Sequence, residues 1–197
     1  MTRGVIDEKE QLRALVRQRL GALPVSEREV ASARACERLK EQAIWKAAQT
    51  IFFYSPMPGE LDVRPLMLDA LLAGRTVLLP RYNAASDSYE PCRVADLEND
   101  LLKGKYGIHE PNGNCVPYGL KQLDLILVPG LAFAPSGSRL GRGRGFYDKL
   151  LAGISGVKCG VAFDEQMLVE IPLEPHDIPV DYVLTPTRWI AVADVNN

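Results

Sequence analysis

The chain has only two histidines, His109 and His176, among 197 residues. That scarcity argues against a His-rich metal site and against a His-centred catalytic relay. Its four cysteines, Cys36, Cys92, Cys115 and Cys159, lie far apart and form no C-x-x-C pair. Neither a disulfide framework nor a zinc site is expected, and all four read as reduced, mostly buried thiols. No apolar run approaches the ~20 residues that cross a bilayer. The charged opening segment, Met1 to Glu10, holds no apolar signal core. A cytoplasmic protein with no membrane partner is expected. Lys and Arg number 23 against 25 Asp and Glu, a net charge of −2, so no basic field points to nucleic acid. Repeats, low-complexity tracts and Pro/Gly/Ser linkers are missing as well. Standard nucleotide motifs fail: G-x-G-x-x-G would need glycine where Phe146 stands, and no Gly-Lys-Ser/Thr completes a P-loop.

What remains is an ordinary globular composition, 47% hydrophobic and 24% charged. The length suits a single domain over 1–197. Asp7 with Glu10 reads as a capping box for a first helix carrying Leu12, Leu15, Val16 and Leu20. Ser26 with Glu29 reads the same way for a second, carrying Val30, Ala33, Cys36, Leu39 and Ala43. Strands and helices then alternate. Thr50–Tyr54 is a strand, Asp62 caps a helix that Gly74 ends, and Thr76–Leu79 is a strand stopped by Pro80. Tyr89–Val94 is a strand, with a short helix near Ala95–Leu102. Leu123–Val128 is a buried strand, Phe146–Leu151 opens a helix, and Val157–Phe163, Tyr182–Thr185 and Trp189–Val192 are strands. The implied class is α/β: a three-layer αβα domain with a mostly parallel sheet and two N-terminal helices. Ligands of such sheets bind beyond the strand carboxyl ends. Three loops belong there, Ser55–Leu61, Arg81–Tyr89 and Pro129–Gly145.

Ser138 to Lys149 is the most informative stretch. Arg139, Arg142 and Arg144 alternate there with Gly141, Gly143 and Gly145. Glycine lets backbone N–H groups approach a ligand closely, and arginine offers a fork of donors to phosphate. A helix starting at Phe146 would add its positive end. The three together point to a polyphosphate or another strongly anionic ligand. Asp148 is suited to a divalent cation bridging phosphate oxygens. The blander alternative is a solvated charged loop.

Pro129-Gly-Leu-Ala-Phe133, Gly137, Arg139-Leu-Gly-Arg-Gly143, Gly145 and Tyr147-Asp148 together resemble the signature of the 5-formyltetrahydrofolate cyclo-ligase family, also called methenyltetrahydrofolate synthetases. Lys9-x-x-Leu12-Arg13, Glu60, Leu78-Leu-Pro-Arg81, Gly107-Ile-His-Glu-Pro111 and Asp181 fit the same family, so the likeness covers nearly the whole chain. Three positions depart from it. Arg144 stands where glycine or lysine is usual, Phe146 replaces a common tyrosine, and Ala134 takes the place of an aspartate.

The resemblance implies a monomeric enzyme that closes 5-formyltetrahydrofolate to 5,10-methenyltetrahydrofolate, using ATP and Mg2+ and releasing ADP and phosphate through a phosphorylated formyl group. It implies that Lys9, Arg13 and the run Arg139, Leu140, Gly141, Arg142, Gly143, Arg144, Gly145, Phe146 and Tyr147 hold ATP. Arg142 and Arg144 would lie nearest the transferred group. Glu60 would contact the pterin, and Asp148 and Asp181 would hold the metal. Tyr54, Met57 and Phe133 are candidates for an apolar wall of the folate pocket, or equally for the core. Two competing readings are a sugar-phosphate or acyl-group enzyme on a similar fold, and a non-catalytic nucleotide-binding relative.

Overall fold

The computed structural model describes residues 3–104, 107–143 and 145–193. Helices α1 (Arg3–Ala22), α2 (Val25–Lys40) and α3 (Ala43–Ala47) precede strand β1 (Thr50–Phe52), helix α4 (Arg64–Leu72) and strands β2 (Thr76–Asn83) and β3 (Ser88–Val94). Two short strands follow, β4 (Leu101–Lys103) and β5 (His109–Pro111), then β6 (Leu125–Pro129), β7 (Ala132–Phe133) and β8 (Arg139–Leu140). Helix α5 (Phe146–Leu151) and strands β9 (Val157–Val161), β10 (Tyr182–Leu184) and β11 (Trp189–Ala191) complete the order.

Seven strands form one sheet in the order β11-β10-β9-β6-β1-β2-β3. The five inner strands are parallel, and β11 and β3 are antiparallel edges. Side chains alternate between two cores, as a strand period of two requires. Ile51, Leu125 and Leu127 meet α2, α3 and α4 on one face. Phe52, Ile126 and Val128 meet Leu150 and Leu151 of α5 on the other. A third cluster sets α1, through Val16, against Leu131, Ala132 and Leu140 of the β7–β8 hairpin. The N-terminal helix therefore lies over the segment that leaves the central strand β6.

Several local expectations change. Helix α1 begins at Arg3, so Asp7 is inside it and caps nothing. Pro24, extended at φ −62 and ψ 152, is the N-cap of α2 and puts Ser26 in the first turn. Val63 takes the N-cap of α4, although Asp62 Oδ1 still accepts the Arg64 backbone N–H at 2.9 Å. Pro80 does not stop β2, because it sits opposite Pro91 of β3, at a position of the antiparallel ladder that exchanges no hydrogen bonds. No helix forms over 95–102. Asp96 captures the N–H groups of Glu98 and Asn99, and Asp100 those of Ala95 and Asp96, giving the backbone local partners instead of helical ones. The four cysteines are buried free thiols, as expected, and burial pushes Cys36 up to about 12 and Cys92 up to about 11. Among the described residues no helix is long and apolar enough to cross a membrane.

Phe133 is fully buried, not part of a ligand wall, and its ring fills the space beside two glycines. A Cβ at Gly160 would lie 2.4 Å from Phe133 Cε1, and one at Gly130 2.7 Å from Cε2. The aromatic ring is enclosed on all sides and cannot yield. Gly160→Ala is therefore expected to lower the unfolding free energy by about 1–3 kcal/mol, read from urea denaturation. An unchanged midpoint would show that the ring has room.

Candidate active site

The loop after β1 is built on a Pro-Gly turn. Met57-Pro58-Gly59-Glu60 closes with Glu60 N–H donating to Met57 O at 2.9 Å, and Gly59 takes φ +88. This is a type II turn, whose third position favours glycine. The buried Tyr54 hydroxyl donates to Leu61 O at 2.6 Å and pins the loop's far end. Glu60 is consequently fixed, with its Oε2 accepting the Met57 N–H at 3.0 Å. Its Oε1 accepts Arg142 Nη2 at 2.9 Å, across 82 positions of sequence.

Arg142 belongs to the second wall. The chain leaves β6, folds back through the β7–β8 hairpin and enters the glycine-arginine loop. Gly143 at φ +103 and Gly145 at φ +66 take left-handed conformations that a side chain would strain. Arg139 is only 6% exposed; its Nη2 donates to Asp148 Oδ1 at 2.5 Å, and its guanidinium lies 6.0 Å from the Tyr147 ring centre. Its Nε–H has no partner among the described residues, so a buried donor remains unused. Helix α5 spans six residues, too few for a strong dipole, so arginines and backbone amides must carry any anion binding. Arg144 lies outside the described residues.

Both walls border one cavity of about 320 Å³, lined among others by Tyr54, Met57, Glu60, Arg139, Gly141 and Arg142. Gly145, Phe146, Tyr147 and Asp148 line it too. Burial pushes the Tyr147 phenol well above its ordinary value, and the Glu60 carboxylate adds to the rise. Phe146 stands perpendicular to Tyr89, ring centres 5.4 Å apart, and Tyr82 joins them at 6.3 Å from Phe146. Tyr89, Ile108 and Glu110 also border the cavity, and the sequence alone gives none of them a site role. A glutamate in a three-residue strand between His109 and Pro111 gives no periodic sign of burial, yet Glu110 is 6% exposed.

Helix α1 reaches the site through Arg13, whose Nε donates to Gly141 O at 3.1 Å. Lys9 is nearly buried, and its ammonium bonds Asp177 Oδ2 at 2.6 Å and Glu174 Oε2 at 2.9 Å. It does not line the cavity. Leu140 is buried beneath the loop. Asp148 and Asp181 are not brought together. Asp181 stands at the amino end of β10, where its Oδ2 accepts the Lys158 N–H at 2.7 Å, whereas the cavity lies at the carboxyl ends of β1 and β6. His109 and His176 are exposed. Trp45 and Trp189 pack, the first edge-on to Phe53 and the second stacked on Tyr182.

A mostly parallel αβα sheet, with a glycine-arginine loop facing a fixed carboxylate at its carboxyl edge, defines a small-molecule enzyme fold with a pocket lined by arginines and carboxylates. Comparison with known proteins narrows this. The chain belongs to the 5-formyltetrahydrofolate cyclo-ligase family, whose model matches residues 5–186. It is 35% identical over 187 residues to the 5-formyltetrahydrofolate cyclo-ligase of Mycolicibacterium smegmatis, covering 92% of this chain and 95% of that one. The mouse protein of the same name is 32% identical over 187 residues, covering 89% and 92%. The solution structure of Aquifex aeolicus 5,10-methenyltetrahydrofolate synthetase superposes with TM-score 0.83 at 30% identity, over 96% of this chain and 95% of that one.

The Lys9 bridge makes a pH prediction. Burial alone would raise the Asp177 carboxyl, but the Lys9 ammonium and the Glu174 N–H outweigh it and hold the group below its ordinary value. A depressed folded value gives stability that is present above the unfolded carboxylate range near ~4 and is lost as pH falls through the lower folded value. Asp177→Asn is expected to cost roughly 1 kcal/mol at neutral pH, discounted for partial solvent screening. The gap between wild type and variant should shrink towards zero in acid. A gap that stays constant down to pH ~2 would contradict the assignment.

Proposed function

We propose that this protein is a 5-formyltetrahydrofolate cyclo-ligase that uses ATP and Mg2+, within one domain and as a monomer. The observation that carries the reading is the 2.9 Å contact between Arg142 and Glu60. It joins the anion-binding loop and a fixed carboxylate in one cavity. A reaction that needs a triphosphate beside a heterocycle rich in N–H groups needs both. The family's relatives carry this activity in their names.

The chemistry accounts for the residue types. The formyl oxygen of the substrate is a poor leaving group. It attacks the γ-phosphorus of ATP, and ADP departs. N10 then attacks the activated formyl carbon and loses its proton, the carbon–oxygen bond breaks, and phosphate leaves with that oxygen. Such a sequence needs positioning and charge neutralisation more than a protein nucleophile. Arg142, with Arg144 beside it in sequence, neutralises the transferred group. Arg139 offers its unused Nε–H, and the backbone from Leu140 to Tyr147 completes the cradle. The Arg142–Glu60 pair is partly exposed, with Arg142 at 48%. Such a pair contributes only ~0–1 kcal/mol, so ligands can replace it cheaply: phosphate on Arg142, ring N–H groups on Glu60. Arg13 holds α1 over the loop. Lys9, tied to Asp177 and Glu174 outside the cavity lining, would meet a phosphate oxygen with its third N–H where the triphosphate runs past the cavity towards α1.

One carboxylate with phosphate oxygens and water is an ordinary donor set for Mg2+. Asp148 fits it through the oxygen that Arg139 does not occupy; Asp181, engaged at the other end of its strand, does not belong to that set. When bound, the ion would neutralise phosphate charge.

Mixing 5-formyltetrahydrofolate with Mg-ATP and the protein should produce the conjugated methenyl product, seen as a new absorbance band that depends on ATP. Arg142→Ala should lower kcat by about 10²–10³, as removal of one preorganised charge-stabilising donor does elsewhere. No band with wild type would end the proposal, and near-normal turnover of the variant would remove Arg142 from its role.

A further inference from the structure

Glu110 stands on β5 with its side chain between two supports. Its Oε2 accepts the backbone N–H of Tyr82, on β2, at 3.0 Å. Its Oε1 is buried and has no hydrogen-bond partner among the described residues. The opposing Gly104 is what makes room for it: a Cβ there would lie 2.4 Å from Glu110 Cδ and 2.7 Å from Oε1. A buried carboxylate oxygen without a donor is costly, and folded proteins rarely keep one without a reason. The residue borders the same cavity as Glu60. Glu60 already accepts from Met57 and Arg142, and the free oxygen of Asp148 lies on the arginine side, which leaves Glu110 Oε1 as the buried carboxylate oxygen at this cavity with no donor among the described residues.

Three kinds of ligand group are to be weighed: phosphate, a metal ion and a neutral N–H donor. Phosphate is repelled by a carboxylate and belongs with the arginines. A metal that bridges phosphate oxygens belongs where the triphosphate lies, beside the arginine loop and Asp148, and among the described residues Glu110 is in no cluster of metal-ligating side chains. A neutral N–H donor is the remaining match. Resting on the folate reading of the site, we propose that Glu110 is a substrate-positioning residue whose Oε1 accepts an N–H of the reduced pterin ring, complementing Glu60. The cavity is then divided by charge, with two glutamates for the ring and the arginine loop for the triphosphate.

Glu110→Gln tests this sharply. Tyr82 N–H and the ring N–H each demand an acceptor, and glutamine has one carbonyl oxygen and one NH2. Whichever way the amide turns, one of the two contacts becomes donor against donor. The KM for 5-formyltetrahydrofolate should rise about ten- to hundredfold, the factor of one charge-assisted hydrogen bond. The KM for ATP should stay within about twofold and kcat should change far less than the folate KM. Gly104→Ala does not alter the cavity lining but crowds the carboxylate, and it should reproduce the folate defect. Melting curves of both variants, measured alongside, confirm that the folded protein is being assayed.

An E110Q enzyme with an unchanged folate KM overturns the proposal while leaving the folate reading intact. So does a fall in kcat at constant KM, or an equal rise in both KM values, the mark of a merely structural role. If the two variants are too unstable to assay, wild type binding both a 2-desamino and an N3-methyl analogue as tightly as the substrate overturns it; a tenfold loss with one analogue that persists in Glu60→Gln supports it, and losses that all vanish in Glu60→Gln overturn it. Wild type that neither binds nor converts 5-formyltetrahydrofolate overturns the folate reading itself.

Discussion

Parallel pairing of β1 with β6 is the constraint from which the site follows. Ile51 lies opposite Leu125 and Phe52 opposite Ile126, so both strands leave the sheet at the same edge. Asp124 Oδ2 fixes that alignment from the other end by accepting the N–H groups of Gln49 and Thr50 at 2.9 and 2.8 Å. One strand runs on into the Pro-Gly turn that presents Glu60. The other runs on into the hairpin and glycine-arginine loop that present Arg139 and Arg142. Residues far apart in sequence face one another because two adjacent strands point the same way. The apolar alternation that drives their burial thereby decides where the charges go.

Polar groups around this edge fall into two kinds. Some are fully committed to the fold: Arg81 bonds Glu90 and the carbonyls of Asn112 and Cys115, tying the 112–115 turn to the edge of the sheet. Others are committed only in part. Arg142 is held by a single half-exposed carboxylate contact, Arg139 keeps one unused donor, and Glu110 one unused acceptor. These three border one cavity, and Arg28 Nε on α2 is a further buried donor without a partner, away from it. Unsatisfied valence concentrated in one place is what separates a ligand site from a polar surface, where water would meet every demand.

Much of this architecture is legible from the residues. Continuous apolar strands such as Leu125–Val128 announce a sheet covered on both faces, and α5 falls where the sequence puts it, at Phe146–Leu151. The glycine-arginine alternation marks the loop that walls the cavity. Other features are not legible because they depend on long-range partners. Pro80 continues its strand only because Pro91 stands opposite it in the ladder. The aspartates at 96 and 100 divert a helix by taking backbone donors, a competition that helical periodicity does not register. Phe133 reads equally as pocket wall or core from sequence, and only its seat between Gly130 and Gly160 decides for the core. The burial of Glu110 has no periodic sign in the sequence, because it depends on Gly104 packing against its carboxylate.

The most direct measurement of the central claim is a crystal structure of the protein with ADP and 5-formyltetrahydrofolate bound. The diphosphate should lie on the backbone amides of 139–147 with Arg142 turned from Glu60 towards it, and the ring system should sit between Glu60 and Phe146. A nucleotide bound elsewhere, with the Arg142–Glu60 pair intact and the cavity empty, would contradict the claim.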